Sequence, residues 1–455
     1  MKGNSVLVLG AGVSGVAAAR LAAAKGAEVT LLDTGHPSEV SLKLLADDGV
    51  CCHIGDDALK WRGECDLVIY SPGIPLGSPL DELASRTGAR QMGELGFGAS
   101  FMECPIIAVT GTNGKTTTVE MLEHCLKGAG YDAVAGGNIG LPLSELVLQG
   151  RKPEIVVAEV SSFQMEHPDG FNPDAAVILN ITPDHLVRHG TMEAYTDLKL
   201  EIFRNPKTKC VLNSNLLQIS KVAKTLQNRP YTVFTSDSDD KTDFGMEDGW
   251  LVKRGENGET QRLVSTQELP FSGGHNMENA LAALAVGDAA GVKPERLAPH
   301  LRSFHTGDHR LQRVLEWNGI SFIDDSKATN VDALVKALEV LGPQGRGIAL
   351  IAGGLDKKCS LEECLPKLKE YVKSVYLIGE CRSRLALGWG RVVEAHECGT
   401  MREAVFQAAD ALGDGGGIVL LSPACASQDM FRDYAQRGDA FADSAKEYIK
   451  SRERF

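Results

Sequence analysis

Pro105-Ile106-Ile107-Ala108-Val109-Thr110-Gly111-Thr112-Asn113-Gly114-Lys115-Thr116-Thr117-Thr118 decides how this chain is read. The first five residues are an apolar run of strand character, and a glycine-punctuated turn follows them. From Thr118 through Leu126 the sequence is helical in character. A strand that turns through glycine into a helix leaves several backbone N–H groups at the helix N-terminus, where the helix dipole also favours an anion. Lys115 adds a point charge over β- and γ-phosphates, and the Thr116 hydroxyl can ligate Mg²⁺. Val109 stands at the first glycine of the generic G-x-x-x-x-G-K-[ST] pattern, so this is a shortened phosphate loop. Gly111, Thr112, Asn113, Gly114, Lys115, Thr116 and Thr117 are its predicted contacts to ATP.

The chain around this loop has 455 residues, which at ~150 residues per domain suggests three domains. Its 43% hydrophobic and 24% charged residues suit a globular protein with a sizeable core. A net charge of −13 argues against a broad nucleic-acid or anionic-membrane surface, so anionic ligands must be held locally. The 11 cysteines are scattered and form no C-x-x-C pair, which suits reduced thiols in a cytoplasm. Glycines at 10, 12 and 15 interrupt the apolar N-terminus, and no stretch reaches the ~18 uncharged apolar residues that span a bilayer. The expectation is a cytoplasmic protein without a membrane segment.

Upstream of the loop, residues 1–93 read as one α/β unit. Ser5-Val6-Leu7-Val8-Leu9 is a buried-strand run, Gly10-Ala11-Gly12-Val13-Ser14-Gly15 fits G-x-G-x-x-G, and an Ala-rich helix follows. A second strand, Glu28 to Leu32, closes on Asp33, the ribose position of a dinucleotide fingerprint. A third strand, Asp66 to Tyr70, stops at Ser71-Pro72-Gly73. Taken alone, this unit suggests NAD, but it is small for a dinucleotide domain and shows no hydride-transfer residues.

Residues 94–304 form the second unit. Strand candidates 154–160 and 175–179 end in the polar tips Glu159-Val160-Ser161-Ser162 and Asn180-Ile181-Thr182-Pro183-Asp184-His185. Ligands gather beyond the carboxyl ends of parallel strands, so these tips belong with the phosphate loop. The polar, turn-rich stretch 227–270, with short strands such as Trp250-Leu251-Val252-Lys253, reads as a peripheral insert. A third unit, 305–455, has strand candidates 347–352, 374–378 and 417–421 separated by helical segments. The fold class is therefore α/β in three domains: an N-terminal Rossmann-like domain, a central P-loop domain and a C-terminal Rossmann-like domain.

The ordered set of motifs resembles the Mur ligases, the ATP-dependent amino-acid-adding enzymes of peptidoglycan synthesis. It runs from Gly10–Gly15 and Ser71-Pro72-Gly73-Ile74 through Gly93-Glu94-Leu95 to the loop 110–116. Gly137-Asn138-Ile139-Gly140, Glu159–Gln164, Asp184-His185, His275-Asn276, Asn279 and His309-Arg310 come next. Asp325–Asn330, Ser422–Ser427, Asp429, Phe431 and Arg437-Gly438 complete it. Within the family the chain is similar to the branch that adds D-glutamate to UDP-N-acetylmuramoyl-L-alanine.

That resemblance reassigns the first unit to the UDP of the muramoyl substrate, with Val13, Ser14, Asp33, Thr34, Ser71, Gly73, Asn138 and Ser161 as its contacts. The family often places a basic residue after the Asp-Thr pair, where this chain has Gly35. The resemblance implies that the γ-phosphoryl of ATP passes to a substrate carboxylate, and that the amine of D-glutamate then attacks the acyl phosphate. Lys115, Glu159, His185 and Lys199 are the implied catalytic residues. Two Mg²⁺ ions are implied, with Thr116, Glu159, His185 and a CO₂-carbamylated Lys199 as ligands; pattern alone makes Lys199 a solvated helix lysine. Asn276, Asn279, His309, Arg310 and Asp325 complete the ATP contacts, with a hinge near 300–307. Lys327, Thr329, Lys358, Ser427, Gln428 and Tyr434 are the implied D-glutamate contacts.

The remaining expectations are a monomer with small-molecule substrates only. The alternatives are another Mur ligase or a folate polyglutamating ligase, more remotely an NAD-dependent oxidoreductase, and a nucleotide-binding regulator without ligation. No Asp-Asn-Pro-Arg motif of the diaminopimelate- or lysine-adding branch is present, and Asn113 stands where the L-alanine-adding branch usually has His.

Overall fold

Runs of apolar residues buried on both faces become parallel strands here, and helices cover each sheet. The computed structural model describes residues 1–237, 242–255, 257–271, 273–305, 307–355 and 361–453. The first sheet contains β1 (Ser5–Leu9), β2 (Glu28–Asp33), β3 (Cys51–Ile54), β4 (Leu67–Tyr70) and β5 (Arg90–Gly93). All are parallel, in the order β3-β2-β1-β4-β5. The order reverses between β1 and β4, which opens a crevice at their carboxyl ends. There Gly10 (φ +92°) turns the chain into the helix Val13–Ala24. A side-chain carbon at Gly15 would stand 1.8 Å from the Gly10 carbonyl oxygen, so glycine is required for the helix to pack on the loop.

The second sheet holds β6 (Ile106–Thr110), β7 (Ala133–Gly137), β8 (Ile155–Glu159), β9 (Ala175–Ile178) and β10 (Lys209–Asn213). It continues through β11 (Tyr231–Phe234), β12 (Phe244–Glu247), β13 (Trp250–Arg254) and β14 (Thr260–Ser265). The order is β14-β13-β12-β11-β10-β9-β6-β8-β7, so β6, the phosphate-loop strand, lies inside the sheet. The stretch expected as a peripheral insert lies at the edge of this sheet and prolongs it. β11 pairs parallel with β10, and β12, β13 and β14 form an antiparallel ribbon at the edge. Asp248-Gly249, at φ +49° and +76°, makes the two-residue turn between β12 and β13. Phe244, Leu251, Val252 and Val264 are fully buried beneath the ribbon.

The third sheet contains β15 (Gln312–Trp317), β16 (Ile320–Asp324), β17 (Ile348–Gly353), β18 (Val372–Ile378), β19 (Glu394–Glu397) and β20 (Gly417–Leu421). Its order is β15-β16-β20-β17-β18-β19, and only β15 pairs antiparallel.

The three sheets fall into two compact bodies. The first comprises Met1–Ile181, Arg188–Pro270 and Asn276–Phe304; the second comprises Thr182–Val187, Phe271–His275 and His305–Phe455. Within the first body, the first two sheets are joined by buried contacts. Gly93 donates to the His167 carbonyl at 2.9 Å, and Ser144 N–H donates to the fully buried Glu94 carboxyl at 2.8 Å. The His167 ring stacks on Tyr70 at 3.6 Å. The described cysteines are free thiols. Among the described residues, no helix is long and apolar enough to cross a membrane.

Candidate active site

The phosphate loop is held by side chains from the neighbouring strand ends and helices. Thr110 donates to the Val160 carbonyl at 2.7 Å, tying the end of β6 to the end of β8. Asn180, just past β9, accepts from Asn113 N–H at 2.8 Å and donates back to its carbonyl at 3.1 Å; its own carbonyl accepts from Thr112 N–H at 3.0 Å. Gly114 precedes the helix Lys115–Gly128 at φ +85°, where a side-chain carbon would stand 2.4 Å from Asn279 Oδ1. That Asn279 oxygen also accepts from Thr118 at 3.3 Å. Asn276 lies one turn earlier on the same helix, Gly274–Ala289. The Lys115 ammonium folds over the loop, donating to the carbonyls of Gly111 at 2.8 Å and Thr112 at 2.7 Å. Thr116 and Thr117 are buried in the first helical turn.

Glu159 sits at the end of β8, paired with Val109 of β6, and is 2% exposed. Its Oε1 accepts from Asn138 Nδ2 at 2.7 Å, while Oε2 is buried without a hydrogen-bond partner. A half-partnered buried carboxylate asks for a cation. Among the described residues, no group of three His, Cys, Asp or Glu side chains is arranged to hold a metal. Mg²⁺, however, is commonly held by one or two carboxylates together with waters and substrate phosphates. Glu159 and the Thr116 hydroxyl are hard-oxygen donors of that kind, so the residues present fit one such ion.

Lys199, on the helix Met192–Leu200, is 1% exposed and not a solvated surface lysine. Its ammonium donates to the Gly111 carbonyl at 2.8 Å and lies 4.6 Å over the Tyr195 ring. The Tyr195 hydroxyl in turn is 3.1 Å from Thr112 Oγ1. The structure therefore brings Lys115, Lys199 and Glu159 to one loop.

In the first domain, Asp33 accepts from Ala11 N–H at 2.5 Å and from Gly35 N–H at 2.6 Å. It shapes the glycine loop as well as standing beside it. Val13, Thr34 and Gly73 are exposed, Ser14 is half-buried and Ser71 is buried. Asn138 is exposed apart from its bond to Glu159, and Ser161 is held by Gln164 at 2.9 Å. Tyr70, Ser71, Pro72, Ile74 and Phe163 line a small cavity where the first two sheets meet.

The second body carries the rest. His185 adopts φ +56°, a strained backbone for a non-glycine residue. Its N–H donates to Asp184 Oδ1 at 2.8 Å, and Asp184 is itself held by Asn330 at 3.3 Å. His309 (φ +66°) meets Asp324 at 2.7 Å, with its ring edge-on to Tyr434 at 6.2 Å. Lys327 lies 5.1 Å over that tyrosine. Asp325 is buried and accepts from Ser422 Oγ at 2.8 Å; burial pushes its carboxyl up to about 7. Arg310 and Thr329 are half-buried, Ser427 is buried and Gln428 is exposed. Lys358 lies outside the described residues.

Three residues without a sequence-based role prove structural to these sites: Asn180, Tyr195 and Arg437. Arg437 is fully buried and donates to the carbonyls of Cys425, Ala426 and Ser326, tying the loop after β20 to the loop after β16. Burial pushes its guanidinium down to about 10. Arg437-Gly438 stood among the motifs shared with the family and Asn180 in a strand-end tip, but neither residue had an assigned role.

Comparison with known proteins matches three stretches of the chain. Residues 4–93 match the Mur ligase MurD-like N-terminal domain, 109–287 the Mur ligase middle domain, and 309–425 the glutamate ligase domain of Mur ligases. A UDP-N-acetylmuramoylalanine–D-glutamate ligase of Pelotomaculum thermopropionicum is 40% identical over 97% of each chain. The chain belongs to the Mur ligase family. A second ligase with the same name, from Acidobacterium capsulatum, is 38% identical over 97% of this Mur ligase and 96% of its own length.

Among solved structures, MurF from Acinetobacter baumannii superposes with a TM-score of 0.61 at 17% identity, covering 97% of this chain and 93% of its own. MurF from Thermotoga maritima, solved in complex with ADP, gives 0.59 at 19%, covering 95% and 97%. These likenesses are of fold. As a Mur ligase, the protein is an ATP-dependent enzyme that forms an amide bond.

Proposed function

We propose that this Mur ligase joins D-glutamate to UDP-N-acetylmuramoyl-L-alanine in cytoplasmic peptidoglycan precursor synthesis. The full-length relatives of 35–40% identity that carry that activity in their names support the substrates. The observation that carries the chemistry is Glu159, buried beside a phosphate loop with one oxygen unpartnered.

A carboxylate is a poor electrophile because its charge is delocalised and its leaving group would be oxide. Transfer of the γ-phosphoryl from ATP to a carboxylate oxygen releases ADP and leaves an acyl phosphate. The amine nitrogen of D-glutamate attacks the carbonyl carbon, the tetrahedral adduct expels phosphate, and the nitrogen loses its proton to give the amide. Phosphoryl transfer calls for in-line positioning and neutralisation of spreading charge. Lys115 and the loop N–H groups supply both for the triphosphate. Thr116 and Glu159 would hold one Mg²⁺, and His185 with a carbamylated Lys199 a second; such ions neutralise phosphate charge. Exclusion of the Lys199 amine from solvent supports its use as a modified ligand instead of a surface cation.

Asn276, Asn279, His309, Arg310 and Asp325 are the proposed adenosine and phosphate contacts. Val13, Ser14, Asp33, Thr34, Ser71, Gly73, Asn138 and Ser161 are proposed for the UDP-sugar. Lys327, Thr329, Lys358, Ser427, Gln428 and Tyr434 are proposed for D-glutamate, whose two carboxylates call for several donors.

The test is to offer Mg·ATP and UDP-N-acetylmuramoyl-L-alanine with D-glutamate, L-glutamate, L-alanine, diaminopimelate and lysine in competition, and to weigh the product. A D-glutamyl amide is expected. Preferential incorporation of another amino acid would move the enzyme to a different branch of the family.

A further inference from the structure

Arg188, on the short helix Leu186–His189, has no part in the chemistry above, yet it is the most heavily engaged side chain around the Ser71–Ile74 turn. Its Nε and Nη2 grip the Glu166 carboxylate as a fork, at 2.9 and 2.6 Å. Nη2 also donates to the carbonyls of Pro72 at 2.9 Å and Ile74 at 3.0 Å. The guanidinium lies 4.3 Å over the Phe163 ring. The Glu166 side chain is 3% exposed, so the arginine is oriented from a dry, charged base.

The consequence for the turn follows from peptide geometry. Among the described residues the peptide bonds are trans, so a carbonyl and the following N–H point to opposite sides of the peptide. Drawing the Pro72 carbonyl toward Arg188 therefore aims the Gly73 N–H away from it. The Ser71 carbonyl is likewise taken, accepting from Ile74 N–H at 3.0 Å. Three acceptor oxygens that would repel an anion are engaged by donors, the Gly73 N–H is aimed away from Arg188, and the Ser71 Oγ lies beside the glycine loop, 3.8 Å from where a Gly12 side-chain carbon would stand. From Glu166 the contacts continue inside the same body. His189 lies 3.7 Å from Glu166 and stacks on Tyr195 at 5.4 Å, and the Tyr195 hydroxyl reaches Thr112 of the phosphate loop at 3.1 Å.

We propose that Arg188 is a positioning residue that presets the Ser71–Ile74 turn as an anion receptor for the diphosphate of the UDP-sugar. The proposal rests on the assignment of that turn to the UDP-substrate. Removing the arginine outright would strip the buried Glu166 of its forked partner and leave only His189 at 3.7 Å, which threatens the fold. Arg188→Lys keeps the charge but lacks the planar fork that reaches several acceptors at once.

Calorimetric titration of Arg188→Lys and Ser71→Ala with UDP-N-acetylmuramoyl-L-alanine, and separately with Mg·ATP, tests it. Arg188→Lys is expected to bind the UDP-substrate about tenfold or more weakly, with ATP affinity within about twofold of the parent. In turnover it should raise KM for that substrate with kcat little changed, and its thermal midpoint should stay near the parent's. Unchanged substrate affinity in Arg188→Lys, beside a weakened Ser71→Ala, would overturn the positioning role. Equal loss of substrate and ATP affinity would also overturn it. Unchanged affinity in both variants would remove the turn itself from the UDP-substrate site.

Discussion

Glu159 and Lys199 show how much a residue's meaning depends on what surrounds it. Glu159 was legible because an apolar strand delivers it to a polar tip, the place where α/β sheets gather ligands. Lys199 was not legible from pattern, because a lysine in a mixed helical stretch looks the same whether it faces water or a phosphate loop. Only the fold shows it 1% exposed against the Gly111 carbonyl. Glu159→Gln keeps the size and an oxygen for Asn138 but loses the charge. Phosphate release should fall by about a hundredfold or more while the thermal midpoint holds, in line with losses when charge-stabilising groups are removed. Activity within a few fold of the parent would remove Glu159 from the metal site. Lys199→Ala should lose turnover and regain part of it with added short-chain carboxylates, which can stand in for a carbamate. Unaffected activity would take Lys199 out of the mechanism.

At the scale of elements, β1, the helix Val13–Ala24 and β2 could be read directly, because strand, glycine turn, helix, strand and terminal acid all agree. Gly15→Ala puts a carbon 1.8 Å from the Gly10 carbonyl oxygen, which backbone cannot yield without moving the helix. Urea unfolding should show a loss of roughly 3 kcal/mol or more. A neutral outcome would mean that the glycine loop is not packed on the helix as described. The antiparallel hairpin β15–β16 escaped the sequence reading, although Asn318-Gly319, at φ +44° and +77°, is a strong turn signal. The reason is that β15 is an edge strand whose residues are mostly half-exposed and carry no apolar run. The β12–β14 ribbon was read as short strands of a peripheral insert and not as part of the sheet, because a short strand's sequence does not show which strand it pairs with, here β11 for β12.

At the scale of the whole molecule, three successive α/β units were legible because parallel strands repeat as continuous apolar runs. What could not be read was the union of the first two sheets in one compact body, which depends on contacts between residues far apart in sequence. Glu94 belongs to that union, and burial pushes its carboxyl up from 4.5 to about 7. Because the folded state holds this proton more tightly than the unfolded chain, Glu94's contribution is fully present below about 4.5 and is lost as pH rises through about 7. Glu94→Gln should therefore raise the thermal midpoint at pH 8.5, through a gain of up to about 3 kcal/mol, and change it little at pH 4. Equal effects at both pH values would contradict the burial of an ionisable group there.

The central claim, that this phosphate loop drives amide formation on a UDP-sugar, is tested most directly by phosphate release from Mg·ATP. The substrate is UDP-N-acetylmuramoyl-L-alanine labelled with ¹⁸O in its carboxylate, with D-glutamate present or omitted. Sustained release that requires both substrates, with one ¹⁸O carried into the phosphate, is the predicted result. Release indifferent to the UDP-sugar or to D-glutamate, or phosphate free of label, would contradict it.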